Sequence, residues 1–336
     1  MKNLVWLGAR AALVCLAIFG ASVCRAQIVK EVYLGTEVTV QLDRVKLLVG
    51  EPLYVKITAK SLSAALRVGT LQASFFLSDD ADIAVTVRPP GELPYRYTAN
   101  EESARHPTAE LNLDIGESSS YIVPVLYDKK SPNGYVFSKP GDYYVGVKFT
   151  FGLIREIQRF AVELPPIRIT VTEPEGRNAE AFKLINNPKA ALALHVVDPA
   201  DPAVVAAAKK VANDYPDTVY APLCMYLVGA EGFLTTRQSY KESAAIFLKF
   251  LKLFPDHPRA GDAIFNVAAA YDSLKQEDLA RAWIFFLRDR HPDHYLMRKE
   301  TPMALKYYFG PVEQAAGKRW WLYPDMWRYR PPVKDH

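Results

Sequence analysis

Three clusters in this 336-residue chain combine residue types that do chemistry. The segment "HPDH" places His291, Asp293 and His294 within four positions, and imidazole and carboxylate are zinc ligands. A metal site needs two ligands on one face of a rigid helix or a third ligand close by; here the histidines flank a helix-ending proline, so the cluster reads as a turn. "SDDAD", Ser78 to Asp82, groups three acids. It lacks the spaced ligand series and distal Glu of a calcium loop and reads as a solvated strand-end turn. Cys224 lies in "APLCMYLVG", an apolar helical setting without the nearby base that activates a thiol, and reads as a small buried hydrophobe. The other histidines, His106, His195, His257 and His336, are scattered. No nucleophile elbow, H-E-x-x-H helix or phosphate-binding glycine loop appears. No catalytic residue, cofactor or metal ligand is therefore assigned, although a site assembled from distant residues leaves no such trace.

The first 26 residues carry an early positive charge (Lys2, Arg10), the apolar run "AALVCLAIFG" and a small-residue exit at Ala26. This is the pattern of a cleaved secretory signal, which makes the chain exported, periplasmic or secreted, and beginning near Gln27. Lipid attachment at Cys24 is the competing reading, and bulky Val23 just before it argues against that. No later segment is apolar enough to span a bilayer; peripheral association with an envelope stays open. Losing Lys2, Arg10 and Arg25 leaves 38 basic against 37 acidic residues. That near-neutral balance, with no basic run, excludes nucleic acid as a partner. Cys15 and Cys24 leave with the signal, so the exported chain has no pair of cysteines to join.

The hydrophobic period changes near Pro174. Before it, "EVTVQL", "PLYVKIT" and "DYYVGVKF" alternate, with Val38, Val40 and Leu42, then Leu53, Val55 and Ile57, then Tyr143, Val145, Val147 and Phe149 on one face. About nine strands are expected between Glu31 and Glu173, cut by "RPPGELP", "SPNG" and "KPGD". Short alternating strands with turn signals predict a β-sandwich over 27–174. "FSKPGDYYVGVKF" resembles the late strand of immunoglobulin-like domains, which implies that Tyr143 packs at the sandwich corner. The polar stretch from Arg88 to Glu110 is a long connection, functional or merely inserted.

After the short hinge at Pro174, Glu175 and Gly176, the chain turns helical. Pro216, Pro255 and Pro292 are each followed by Asp, at spacings of 39 and 37 residues. Ile264, Val267, Ala268 and Tyr271, then Ala280, Ile284 and Leu287, then Pro292, resemble a tetratricopeptide repeat, in which small residues let paired helices approach and proline ends the second. Two more divergent units precede it, with Met225, Val228, Gly229, Ser243, Phe247 and Phe250 in one and Val204, Ala208 and Val211 in the other. The phrase "YKESAAIFLKFLKLFPDHPRAGDAIFNVAAAY" is similar to bacterial envelope-assembly repeat proteins, which implies a binding scaffold without catalysis. The Asp after each proline is expected to accept hydrogen bonds from the next helix's free amides.

The expected architecture is thus a multidomain β plus α chain: a signal peptide over 1–26, an immunoglobulin-like β-sandwich over 27–174, a tetratricopeptide-like helical domain over 177–310 and an aromatic tail over 311–336. The expected function is protein or peptide binding on the concave face of the repeats, through Asp262, Phe265, Asn266, Ala269 and Asp272 by repeat position. Two alternatives stand beside it. A carbohydrate- or peptidoglycan-binding protein would use the β-sandwich or the tail, where Trp320, Trp321 and Trp327 either stack on sugars or cap the helices. A hydrolase would need paired titratable groups between the domains.

Overall fold

The computed structural model describes residues 27–63, 66–70, 83–98, 109–153, 159–234, 239–291 and 294. The expected leader, the "SDDAD" acids up to Asp82, His106, Asp293 and the tryptophan-rich tail lie outside the described residues. Eleven strands come first: β1 (Ile28–Tyr33), β2 (Thr36–Leu42), β3 (Lys46–Leu48), β4 (Leu53–Ser61), β5 (Leu66–Thr70), β6 (Ile83–Arg88), β7 (Tyr95–Tyr97), β8 (Ala109–Leu113), β9 (Ser118–Val125), β10 (Gly141–Leu153) and β11 (Arg159–Thr172). Seven helices follow: α1 (Gly176–Ile185), α2 (Pro188–Val196), α3 (Pro202–Asp214), α4 (Ala221–Leu234), α5 (Tyr240–Leu253), α6 (Ala260–Ser273) and α7 (Glu277–Arg290).

Alternation does set the faces of the strands. In β2, Thr36, Val38, Val40 and Leu42 are buried and the residues between them half-buried, and Tyr143, Val145, Val147, Phe149 and Phe151 of β10 line the core. Each such side chain withdrawn from water contributes roughly 1.5–3 kcal/mol.

The expected fold class is overturned. One sheet has four antiparallel strands in the order β1-β2-β4-β9. The other has seven strands and is mixed, because β3 runs parallel to β11 with Thr170 opposite Lys46. The two do not form an immunoglobulin sandwich, and the seven helices give an α/β arrangement. The spine of the larger sheet is the β10–β11 hairpin, whose register slips between Val145 and Val147. Opposite that slip, Pro165 and Pro166 interrupt β11; proline donates nothing to a ladder, so one strand bulges. Tyr143 is fully buried and its hydroxyl donates to the Lys139 carbonyl at 3.1 Å, a turn-local bond that requires no particular sandwich.

Nor do the helices stand apart as a free repeat domain. Buried side chains of the strands and of α1 to α7 form one continuous core. Within the helical region, local chemistry sets the boundaries. Asp201 caps α3 by accepting the Ala203 amide at 2.9 Å, and Pro202 opens the helix. α3 and α5 each stop two residues before a Pro-Asp pair, at Asp214 and Leu253. The turns that follow share one hydrogen bond: Thr218 to the Tyr215 carbonyl at 3.1 Å, His257 to Phe254 at 3.2 Å and His294 to His291 at 2.9 Å. The expected capping role of the Asp fails at Asp217, which instead takes the Arg177 guanidinium of α1 in a two-pronged pair at 2.8–3.1 Å. That pairing holds its carboxyl below the usual range.

Candidate functional site

The Pro-Asp turns at Pro216 and Pro255 deliver the residue four positions after the proline into the seam between strands and helices. After Pro216 this is Tyr220, fully buried, whose hydroxyl donates to the Val49 carbonyl at 2.6 Å. Its ring stacks on Phe182 at 5.2 Å. Phe182 lies against Gly50, whose φ of +79° and lack of a Cβ admit the ring. Tyr135 closes the group, donating to the Ile185 carbonyl at 2.8 Å.

After Pro255 the corresponding residue is Arg259, only 4% exposed. Its guanidinium lies 5.0 Å over the Tyr226 ring and donates to the His195 carbonyl at 3.4 Å. His257 accepts the Arg259 amide on Nδ1 at 3.1 Å and meets the Tyr54 ring edge-on at 5.2 Å. Burial, then the charges of Arg259 and Arg44, push the His257 imidazole down to about 3, so it is neutral at physiological pH. His195 is buried between the Tyr97 and Tyr127 rings. On the strand side, Arg44 bridges Asp43, at 2.9 Å, and Glu51. Asp43 also accepts the Tyr54 amide and Glu51 the Leu48 amide, both at 2.9 Å. Burial pushes both carboxyls up, against the opposing pull of Arg44. What these groups accomplish together is to join the helices to the sheets.

Beside this seam is a cleft of about 860 Å³, open to solvent. One wall is the β6–β7 turn with Pro89, Glu92, Leu93 and Pro94, and the other is the β9–β10 loop with Asp128, Lys130, Ser131, Pro132 and Asn133. An ion pair of 2.5 Å from Lys139 to Glu92 ties the walls together. The loop is held by its own side chains: Asp128 accepts the Lys130 amide at 2.9 Å, and Asn133 accepts from the Ser131 hydroxyl at 3.0 Å and the Tyr135 amide at 3.2 Å. Tyr95 belongs to the lining; burial and the Asp128 carboxylate push its phenol well up, so it stays a donor. The Lys130 ammonium sits 5.9 Å over the Tyr95 ring. Leu93 stands on the rim, 86% exposed.

The residues expected to hold a partner all lie on α6. Phe265 and Ala269 are half-buried, as is Asp272. Asp262 faces His294 at 3.1 Å, and Asn266 donates to the Tyr226 hydroxyl at 2.9 Å. Two of the three polar side chains among these five residues are therefore engaged within the chain. Cys224 is buried and its thiol pushed well up by burial. Among the described residues, no three His, Cys, Asp or Glu side chains gather as metal ligands, and no helix is long and apolar enough to cross a membrane. One wall of the cleft falls in the Arg88–Glu110 connection that the sequence left as functional or inserted, while the opposite wall was marked only by the turn signal "SPNG".

No protein-family model matches the chain, and no curated protein matches it. Among solved structures, parts of it are similar to the sporulation control protein Spo0M of Bacillus subtilis, at 14% identity and a TM-score of 0.25, over 45% of this chain and 54% of that one. A family 123 glycoside hydrolase of Clostridium perfringens follows at 13% and 0.19, over 38% of this chain and 22% of that one. A GH3 β-glucosidase of Bifidobacterium adolescentis follows at 14% and 0.19, over 48% and 20%. The chain thus spans about half the length of the first and about a fifth of the other two. Likenesses this slight carry neither fold nor function to the chain described here.

Proposed function

We propose that this is an exported, non-catalytic binding protein that holds an extended peptide segment of a protein partner in the cleft between the β6–β7 turn and the β9–β10 loop. The observation that carries the reading is Leu93, a large apolar side chain 86% exposed on the rim of an open cleft. A large apolar side chain exposed at a concave site offers a partner area whose burial stabilises the complex. Three prolines stiffen the walls, so little conformational freedom is lost on binding. Peptide is favoured over sugar because the Tyr95 face, the one aromatic platform lining the cleft, already carries the Lys130 ammonium.

The test uses phage-displayed random dodecapeptides panned on the immobilised chain, with the enriched peptides then titrated by fluorescence anisotropy. The expected result is binding that Leu93→Glu weakens at least tenfold with no change in melting temperature. Peptides indifferent to Leu93→Glu, or Leu93-dependent retention of oligosaccharides on a glycan array in place of peptides, would overturn the proposal.

A further inference from the structure

At one end of the four-stranded sheet, three connections converge. The β1–β2 turn is two residues long, with Leu34 at φ +47° and Gly35 at φ +72°. Positive φ at both positions is the type I′ geometry that asparagine and glycine fill without strain. Leucine there is disfavoured, yet its side chain is 45% exposed and so gains little by packing. The end of β4 joins this turn through the Leu62 amide, which donates to the Gly35 carbonyl at 2.7 Å. The β8–β9 turn joins the end of β4 through Ser61 to Glu117 and Gly116 to Ser61, each at 2.9 Å. Each connection carries an exposed aliphatic residue: Leu34 at 45%, Leu62 at 40% and Ile115 at 63%.

We infer that this end of the sheet is a lipid-docking tip, whose three aliphatic side chains enter the headgroup boundary of a zwitterionic lipid surface. Adjacent strands are about 4.8 Å apart, so the three side chains stand on a row only a few strand spacings long. Each projects from its own connection, 40–63% exposed. Such projecting residues suit a fluid interface. The flanking charges are of both signs, Lys60 against Asp114 and Glu117, all exposed. They match headgroups that carry both charges, and the two acids disfavour an anionic surface. The strained leucine then has a reason: a residue better for the turn would be worse for the interface.

The experiment uses the chain from Gln27 onward, which contains every described residue, and sedimentation with vesicles of phosphatidylcholine and phosphatidylethanolamine, with and without phosphatidylglycerol. Each aliphatic side chain withdrawn from water is worth roughly tenfold in partitioning. The wild-type chain should therefore sediment with the zwitterionic vesicles, and the Leu34→Asn/Ile115→Ser double variant should partition at least tenfold more weakly. Leu34→Asn alone should bind less while melting no lower than wild type, since Asn-Gly relieves the turn; this separates lost docking from lost folding. Wild-type protein left in the supernatant, binding that appears only with phosphatidylglycerol, or a double variant that sediments like wild type each overturns the inference.

Discussion

Replacing Tyr220 with Phe tests whether strands and helices form one cooperative body. The substitution deletes a single oxygen. The ring still stacks on Phe182 at 5.2 Å, so no cavity opens, but the Val49 carbonyl loses the donor it meets at 2.6 Å in a fully buried setting. Leaving one buried acceptor without its partner costs about 1–3 kcal/mol. At about 2.1 cal/mol/K of unfolding entropy per residue, each kcal/mol lowers the melting temperature of a chain this long by about 1.5–2 °C, so a mid-range loss of about 2 kcal/mol predicts a drop of about 3–4 °C. The assay is thermal unfolding followed at once by the helical far-ultraviolet signal and by the β-sheet amide band in the infrared, which reports the strands. One transition should be seen by both probes, and both midpoints should move together. If the helical signal melts separately and moves while the strand signal stays, the seam is not shared and the continuous-core description fails.

Three further outcomes follow from the same geometry. Gly50→Ala should cost more than Tyr220→Phe, because alanine at φ +79° is strained by about 1–2 kcal/mol and its Cβ collides with the Phe182 ring; shortening the ring by Phe182→Leu in the same chain should recover part of the loss in chemical denaturation. His257 makes stability fall in acid: its imidazole is held down to about 3 in the fold against 6.5 when free, so its stabilisation is complete above pH 6.5 and is lost as pH falls toward 3. The slope is at most about 1.4 kcal/mol per pH unit, and His257→Asn, which keeps an acceptor for the Arg259 amide, should flatten denaturant midpoints between pH 6 and 4. Leu93→Glu should shift stability by less than about 0.5 kcal/mol, as an exposed rim residue, even as it weakens peptide capture at least tenfold; a clear loss of stability would mean that Leu93 has a packing role.

What the sequence made legible was local. Alternation picked out the buried faces of β2, β4 and β10, and proline marked the ends of α3 and α5 to within two residues. Strand partners were not legible, since a period of two assigns faces and is silent about neighbours. The parallel pairing of β3 with β11 rests on a three-residue strand too short to leave a periodic trace. The cleft was hidden for a similar reason. Its two walls become neighbours only because Arg88 of β6 pairs with Tyr144 of β10, which brings the turns beyond them face to face. The resemblance of α6 and α7 to a repeat pointed to a helical binding face, while the side chains that link the halves, Tyr220 and Arg259, sat unnoticed inside the turns.

Those turns change where a binding surface is to be sought. Of the three Pro-Asp turns, the two spaced 39 residues apart each bring their fourth following residue to the strand region: Tyr220 meets Val49, and Arg259, bonded to the α2 residue His195, reaches toward Tyr54. The helix ends that face the sheets are therefore occupied by the chain itself. Asn266 and Asp262, on the face expected to receive a partner, are likewise tied to Tyr226 and His294. A helical array that spends its inward polar groups on its own seam acts as a brace. Among the described residues, every exposed large apolar side chain but Leu253 at the end of α5 belongs to the strand region, including Leu93 at the cleft and Leu34, Leu62 and Ile115 at the sheet end. Contact with other molecules is accordingly to be expected at the strand loops that the helices hold in place.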